Sequence, residues 1–206
     1  MSRPRVKVCG ICRVEDAQLA VMLGASAIGF IFWPSSPRYC DPVNAQIIAS
    51  RLPSHITPVG VFVDQRVEEV IEIADRVPLG AVQLHGNEAV AEFERVRQPL
   101  IKAVAVTDTF APADVDVLPS GVTVLLDAHD PVRRGGTGRT IDWDVAAQVA
   151  ARRRTILSGG LNAGNVREAI SHVHPHMVDV SSGVESAPGV KDRAKLEAFF
   201  AAVQAA

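Results

Sequence analysis

Eight short runs rich in β-branched residues recur along the chain at fairly even spacing, and stretches of helical periodicity lie between most of them. That alternation is the pattern of βα units, which build a parallel sheet. The expected strands are Arg5–Cys9, Ala27–Phe32, Thr57–Val63, Ala81–Leu84, Ile101–Val106, Val122–Leu126, Thr155–Ser158 and Met177–Ser181. The expected helices are Val14–Leu23, Pro42–Leu52, Val67–Val77, Glu88–Val96, Trp143–Arg153, Gly164–His172 and Lys191–Val203, with a short irregular one near Ala111–Leu118 after the fifth strand. Gly24, Gly80 and Gly121 precede strands, where an αβ turn calls for positive φ. Eight units in 206 residues predict a compact α/β fold, a (β/α)8 barrel of eight parallel strands that occupies residues 1–206 as one domain.

The competing architecture is a doubly wound open sheet, whose phosphate loops leave a signature. No G-x-x-x-x-G-K-[ST] is present, and Gly136-Thr137-Gly138 runs on into Arg139, Thr140 and Ile141 without the third glycine of a dinucleotide fingerprint. No low-complexity linker divides the chain, which favours one continuous domain.

Composition narrows the function classes. An apolar content of 48% excludes a disordered chain, and a net charge of −2 points away from nucleic acid. The run Arg152-Arg153-Arg154 follows the alanine-rich stretch Val145–Ala151, where cations at a helix C-terminus are favoured by its dipole. No window approaches the ~18 apolar residues of a membrane span, and the N-terminus lacks the apolar core of a signal peptide. Three cysteines cannot all pair within the chain, so a reducing cytoplasm is the expected location. No obligate protein partner is implied.

In a barrel the chemistry sits at the C-terminal ends of the strands and in the loops after them. Those positions are polar here: Cys9-Gly10, the loop Trp33–Arg38, Asp64, His85-Gly86-Asn87, Asp127 with the loop through Arg133, Arg134 and Gly135–Gly138, Ser158-Gly159-Gly160, and Asp179–Gly183. Alternation along a strand decides which of them face the mouth. With Val6 and Val8 outward, Lys7 and Cys9 point inward; by the same rule Asp127, Asp179 and Ser181 do. Glycine-rich turns after strands seven and eight, at Gly159-Gly160 and Ser181-Ser182-Gly183, are where a barrel holds a phosphate on backbone N–H groups. A phosphorylated small-molecule substrate is therefore expected. His85 can line the substrate or serve as a hydrogen-bonded turn residue.

Two patterns invite readings that the rest of the chain does not support. Cys9-Gly10-Ile11-Cys12 is formally a C-x-x-C, but Cys40 is the only other cysteine and no second ligand pair completes a zinc set. His172, His174 and His176 precede strand eight on the opposite face of the barrel, which serves stability rather than chemistry. No metal site is expected.

With these residues in place the sequence resembles the phosphoribosylanthranilate isomerase family of tryptophan biosynthesis along nearly its whole length. The resemblance is carried by Lys7–Arg13 (KVCGICR), Gly29–Arg38 (GFIFWPSSPR), Val59–Asp64 (VGVFVD), Val82–Glu88 (VQLHGNE), Gly135–Gly138 (GGTG), Leu157–Val166 (LSGGLNAGNV) and Val178–Asp192 (VDVSSGVESAPGVKD). Cys12 departs from the family's usual threonine and creates the apparent C-x-x-C. The resemblance implies a (β/α)8 barrel that converts N-(5-phosphoribosyl)anthranilate to 1-(2-carboxyphenylamino)-1-deoxyribulose 5-phosphate, an Amadori rearrangement. It implies Cys9 as general base, Asp127 as general acid and Arg38 as the group that holds the anthranilate, with Lys7, Gln83, His85 and Asp179 around the substrate. Phosphate would fall to Gly159, Gly160, Ser181, Ser182 and Gly183.

Such a rearrangement needs an acid, a base and no redox equivalent, so no cofactor is expected. Asp127 must hold a proton near neutral pH, and Cys9 must lose one although a free thiol titrates near about 8.5. Lys7, inward on the same strand, is the candidate cation beside the thiol. The loop from Asp127 to Thr140 is expected to close over substrate. The competing functions are another phosphate-binding barrel enzyme, of the epimerase, thiamin-phosphate synthase or dual-substrate isomerase kind, and a catalytically silent phosphosugar-binding barrel.

Overall fold

Parallel pairing joins every strand to the next in the chain and the eighth back to the first, so the sheet closes on itself. The computed structural model describes residues 4–128 and 141–206. Its barrel strands are β1 (Arg5–Cys9), β2 (Ala27–Ile31), β3 (Thr57–Phe62), β4 (Ala81–Leu84), β5 (Leu100–Val106), β6 (Thr123–Ala128), β7 (Thr155–Leu157) and β8 (Met177–Val180). The α-helices are α1 (Val14–Leu23), α2 (Pro42–Ala49), α3 (Val67–Arg76), α4 (Trp143–Ala150), α5 (Val166–Val173) and α6 (Arg193–Gln204).

The period-2 alternation does what the sequence reading asks of it. Val6, Val8, Ile28, Phe30, Val124, Leu126, Val178 and Val180 face outward into the layer packed against the helices. The inward set forms a separate plug, made of Ala27, Val59, Ala81, Ile101, Leu125, Ile156 and Met177. Lys7 pairs with Ala27 on one side and Asp179 on the other, one strand position past Val6. An apolar floor therefore lies beneath a polar mouth.

Local chemistry explains most helix boundaries. Asp41, Asp142 and Asp192 cap α2, α4 and α6 with side-chain acceptors for backbone N–H groups, and Pro42 opens α2 where a missing N–H is harmless. Gly24 closes α1 at φ 106°. Gly80 and Gly121 do not take positive φ. Proline is the reason: the chain turns before reaching them, through the extended Val77 ahead of Pro78 and the extended Leu118 ahead of Pro119. His174 takes the left-handed position after α5 instead, at φ 53°.

The helix expected over Glu88–Val96 is a single 3-10 turn, Val90–Phe93. Glu88 is drawn back instead of starting a helix: its carboxylate accepts from the N–H groups of Asp64 and Gly86 and pairs with Lys102 at 2.8 Å. What remains before Pro99 buries Phe93 and Val96. The segment after β5 is likewise a 3-10 turn, Pro112–Val117, so two of the seven crossovers are irregular and not one. Here the arginine run has its use. Arg153 donates to the carbonyls of Val115, Leu118, Pro119 and Val122, Arg152 pairs with Asp116, and Arg154 meets His176.

One element escaped the sequence reading. After β8 a 3-10 turn, Ser182–Val184, leads into a small antiparallel hairpin of β9 (Glu185–Ala187) and β10 (Val190–Lys191), turned at Gly189 with φ 78°. No helix among the described residues is long and apolar enough to cross a membrane.

Candidate active site

The C-terminal ends of the strands surround a cavity of 450 Å³, lined by Cys9, Trp33, Arg38, Gln83, His85, Asp127, Ser158, Asp179 and Ser181 among others. Seven of the candidate site residues thus meet in one place: Cys9, Gln83, Asp127 and Asp179 by strand alternation, His85 and Ser181 just past their strand ends, and Arg38 from the loop after β2.

Lys7 lies beneath Cys9, fully buried, with its Nζ 3.0 Å from Asp179 Oδ1. Burial opposes the Lys7 charge, but Asp179 and then the Cys9 thiol outweigh it and raise the ammonium above the ordinary lysine value. For Cys9 the balance runs the other way. Burial pushes the thiol up, Lys7 pulls it down, Asp179 pushes again, and Lys191 pulls from a second side; the outcome is a pKa above that of an ordinary thiol. Lys7 is the cation expected beside the thiol, yet it is shared with Asp179, so burial prevails at Cys9 and favours the protonated thiol.

Room for that thiol comes from Gly29 on β2, a residue the sequence reading passed over. A Cβ at Gly29 would stand 2.9 Å from Cys9 Sγ and 3.2 Å from Lys7 Cε. The signal was available, since β1 and β2 are neighbours and Gly29 pairs with Cys9. It becomes visible only once the register is known.

Opposite, Asp127 sits in a short relay. The Gln83 carboxamide donates through Nε2 to His85 Nδ1 at 2.8 Å, which leaves His85 Nε2 carrying its hydrogen toward Asp127 Oδ2 at 3.2 Å. The Ala128 N–H donates to Oδ1 at 2.9 Å. His85 thus belongs to the cavity as well as to its turn.

Arg38 reaches the cavity but is already engaged. Its Nε and Nη2 donate to Glu185, with Nη2 2.8 Å from Oε2, in the two-bond geometry that guanidinium and carboxylate favour. Lys191 Nζ lies 2.8 Å from the other carboxylate oxygen. Burial alone would raise the Glu185 carboxyl, but these two cations hold it below the usual carboxylate range. Glu185 and Lys191 belong to the hairpin that the sequence did not announce, so neither was singled out.

The two glycine-rich turns stand side by side. Gly159 and Gly160 take φ 86° and 63°, conformations that a side chain resists, and a Cβ at Gly183 would run into the Leu161 carbonyl. Ser181 lines the cavity, and its buried Oγ has no hydrogen-bond partner among the described residues. The other four residues proposed for phosphate, Gly159, Gly160, Ser182 and Gly183, lie in the two turns and do not line the cavity. The loop expected to close over the site, including Gly135–Gly138, lies outside the described residues.

The apparent C-x-x-C is not a working pair. Cys9 points into the cavity, whereas Cys12 turns away toward Cys40 and the Arg38 carbonyl, 3.3 Å from its sulfur. Its hydrogen bond with the Cys40 thiol lowers the pKa of Cys12 and raises that of Cys40. All three are free thiols. His172 pairs with Asp144 and His176 with Arg154, both away from the site. Among the described residues no cluster of three or more histidine, cysteine or acidic side chains is arranged to hold a metal ion.

The chain is similar to known proteins along nearly its whole length. The family model for N-(5'-phosphoribosyl)anthranilate (PRA) isomerase matches residues 6–202. The chain is 46% identical over 206 residues to the N-(5'-phosphoribosyl)anthranilate isomerase of Pseudomonas fluorescens, covering 99% of this chain and all of that one. It superposes on the crystal structure of phosphoribosyl anthranilate isomerase from Thermotoga maritima with a TM-score of 0.89 at 40% identity, covering 98% of this chain and 100% of that one. A further solved structure holds such an isomerase in complex with reduced 1-(o-carboxyphenylamino)-1-deoxyribulose 5-phosphate; its TM-score is 0.86 at 39% identity, over 98% of this chain and 100% of that one.

Proposed function

From the premise that the chain belongs to the N-(5'-phosphoribosyl)anthranilate isomerase family and is an isomerase of tryptophan biosynthesis, we propose how its own residues carry the reaction. Asp127 is the general acid and Cys9 the general base. The observation that carries this reading is that both line one cavity, with Lys7 beside the thiol and the His85 ring beside the carboxylate.

The reaction opens with a proton passing from Asp127 to the ribose ring oxygen. The C1–O bond breaks, and the lone pair of the aryl amine closes a C1=N Schiff base. Cys9, as thiolate, then takes the proton from C2, and the C–H electron pair forms the C1=C2 bond of an enolamine while the C=N pair returns to nitrogen. Tautomerisation gives the 2-ketone. Afterwards Cys9 holds a proton and Asp127 has lost one; in the free protein burial favours the protonated thiol of Cys9. One proton must return to the carboxylate before the next turnover.

This sharing fixes the pH dependence. Across the range in which the pair holds one proton, a rise in pH favours the thiolate and disfavours the acid by the same factor. The profile of kcat/KM is therefore expected to be flat through neutrality and to fall only above the raised thiol value, or once a second proton is taken up. A steady climb of kcat/KM between pH 7 and 9 would show a single titrating base instead.

Substrate recognition follows the same mouth. Arg38 takes the anthranilate carboxylate, while Gln83, His85 and Asp179 shape the ribose side; Lys7 lies beneath the cavity and holds Asp179. The turns at Gly159-Gly160 and Ser181-Ser182-Gly183 take the phosphate through backbone N–H groups and the unpartnered Ser181 hydroxyl. Gly183→Ala must push these turns apart at the Leu161 carbonyl. Overpacking of this kind carries a penalty of ~1–3 kcal/mol, so KM is expected to rise about tenfold or more, with a weaker effect on kcat. An unchanged KM, and unchanged competition by inorganic phosphate, would remove Gly183 from the phosphate site.

The 206 residues act as one barrel domain on a small phosphorylated substrate, in the cytoplasm where amino-acid precursors are made. The test of the whole reading is the loss of phosphoribosylanthranilate fluorescence on addition of the purified protein. Rapid loss is expected; a protein that binds the phosphosugar without consuming it would be a silent barrel.

A further inference from the structure

Arg38 is already paired with Glu185 in the free protein, and the inference rests on Arg38 holding the substrate carboxylate. An arginine already paired with a carboxylate makes a poor anion site, because the pair is neutral and the newcomer must compete with Glu185. Lys191 changes the count. Its Nζ is 2.8 Å from Glu185 Oε1 and 3.3 Å from the Ser181 carbonyl, and its side chain is shielded from solvent. Two cations and one carboxylate leave a net charge of +1, which a single incoming carboxylate neutralises.

The other charged groups nearby do not alter the sum. Lys7 and Asp179 cancel each other at 3.0 Å, and Cys9 is a neutral thiol in the free protein. Asp16 and Lys195 both meet the hairpin through its main chain, at the Lys191 N–H (3.1 Å) and the Glu185 carbonyl (2.6 Å), and their opposite charges offset each other. Arg38 keeps Nη1 without a hydrogen-bond partner among the described residues, while Nε and Nη2 are fixed on Glu185. The guanidinium is thus oriented by Glu185 and still has a face to offer.

We propose that Lys191 is a specificity-determining residue that never touches the substrate: by neutralising Glu185 it leaves Arg38 free to attract a carboxylated aryl amine in preference to an uncarboxylated one. Arg38 makes the contact, Glu185 aims it, and Lys191 supplies the surplus charge.

The test compares kcat/KM for phosphoribosylanthranilate and for phosphoribosylaniline, which lacks the carboxylate. In Lys191→Met the preference for the carboxylated substrate is expected to fall about tenfold or more, chiefly through its KM. Lys191 also pulls on Cys9, so some loss of kcat is expected, but that loss is common to both substrates and cancels in the ratio. Lys191→Arg, which keeps the charge, is expected to restore the ratio. Should Lys191→Met not fold, Lys191→Gln removes the same charge and keeps a donor for Glu185.

Equal losses on both substrates in the neutral variants would overturn the proposal, since a structural role moves both alike. Arg38→Met separates the two levels. A collapsed ratio there, beside an unchanged one in the Lys191 variants, leaves the Arg38 assignment standing and removes Lys191. An unchanged ratio in Arg38→Met would remove both.

Discussion

Asp127→Asn is expected to lower isomerase turnover by ~10²–10⁴-fold in a protein that remains folded, measured as loss of phosphoribosylanthranilate fluorescence. Asparagine keeps the shape of the side chain and an oxygen for the Ala128 N–H, so β6 has no reason to shift. What it cannot do is deliver a proton to the ribose ring oxygen. The barrel strands β5 and β7 on either side pair through main-chain groups alone, which the substitution does not touch. Turnover near that of the native protein would mean that another group opens the ring.

Cys9→Ala is expected to be as severe, again ~10²–10⁴-fold, for a different step. Removing the sulfur takes away the only group on β1 positioned to accept the C2 proton, and it leaves Lys7 with its partner Asp179. Because Gly29 already clears the space beside Sγ, the small void that results adjoins an open cavity and not the packed interior, so the effect on stability is expected to be slight. Cys9→Ser is expected to behave like alanine, since a hydroxyl cannot ionise where burial already holds a thiol protonated.

The fold was legible because its signal is repeated. Strands β1 and β4 and helix α1 lie where the pattern puts them, residue for residue, and the other barrel strands differ by one or two residues at an end. Inward and outward faces followed from the alternation within β1, β6 and β8, as in Val6, Lys7, Val8 and Cys9. The exceptions share a cause. Glu88–Val96 has helical spacing, but the side chain of Glu88 is recruited by partners on β5 and in the loop after β3, which no local pattern encodes. Likewise Gly80 and Gly121 follow prolines that have already redirected the chain.

The candidate site was legible where a residue reaches the cavity from its own strand and illegible where its place depends on a distant one. Cys9, Asp127 and Asp179 needed only periodicity. Gly29 needed the register of β2 against β1. Glu185 and Lys191 needed the hairpin that folds them back onto Arg38, 147 residues away from Glu185 in sequence. The formal C-x-x-C of Cys9-Gly10-Ile11-Cys12 was set aside from sequence because no second ligand pair completes it, and the fold gives the geometric reason by turning Cys12 toward Cys40.

The central claim assigns ring opening to Asp127 and C2 deprotonation to Cys9, and substrate deuterated at C2 tests it most directly. Turnover of labelled and unlabelled phosphoribosylanthranilate would be compared in Cys9→Ala and in Asp127→Asn. In Cys9→Ala proton removal from C2 becomes the slow step, and a primary isotope effect is expected. In Asp127→Asn the ring must open before C2 reacts, and the effect is expected to vanish. Equal isotope effects in the two variants, or the reverse order, would contradict the assignment of base and acid.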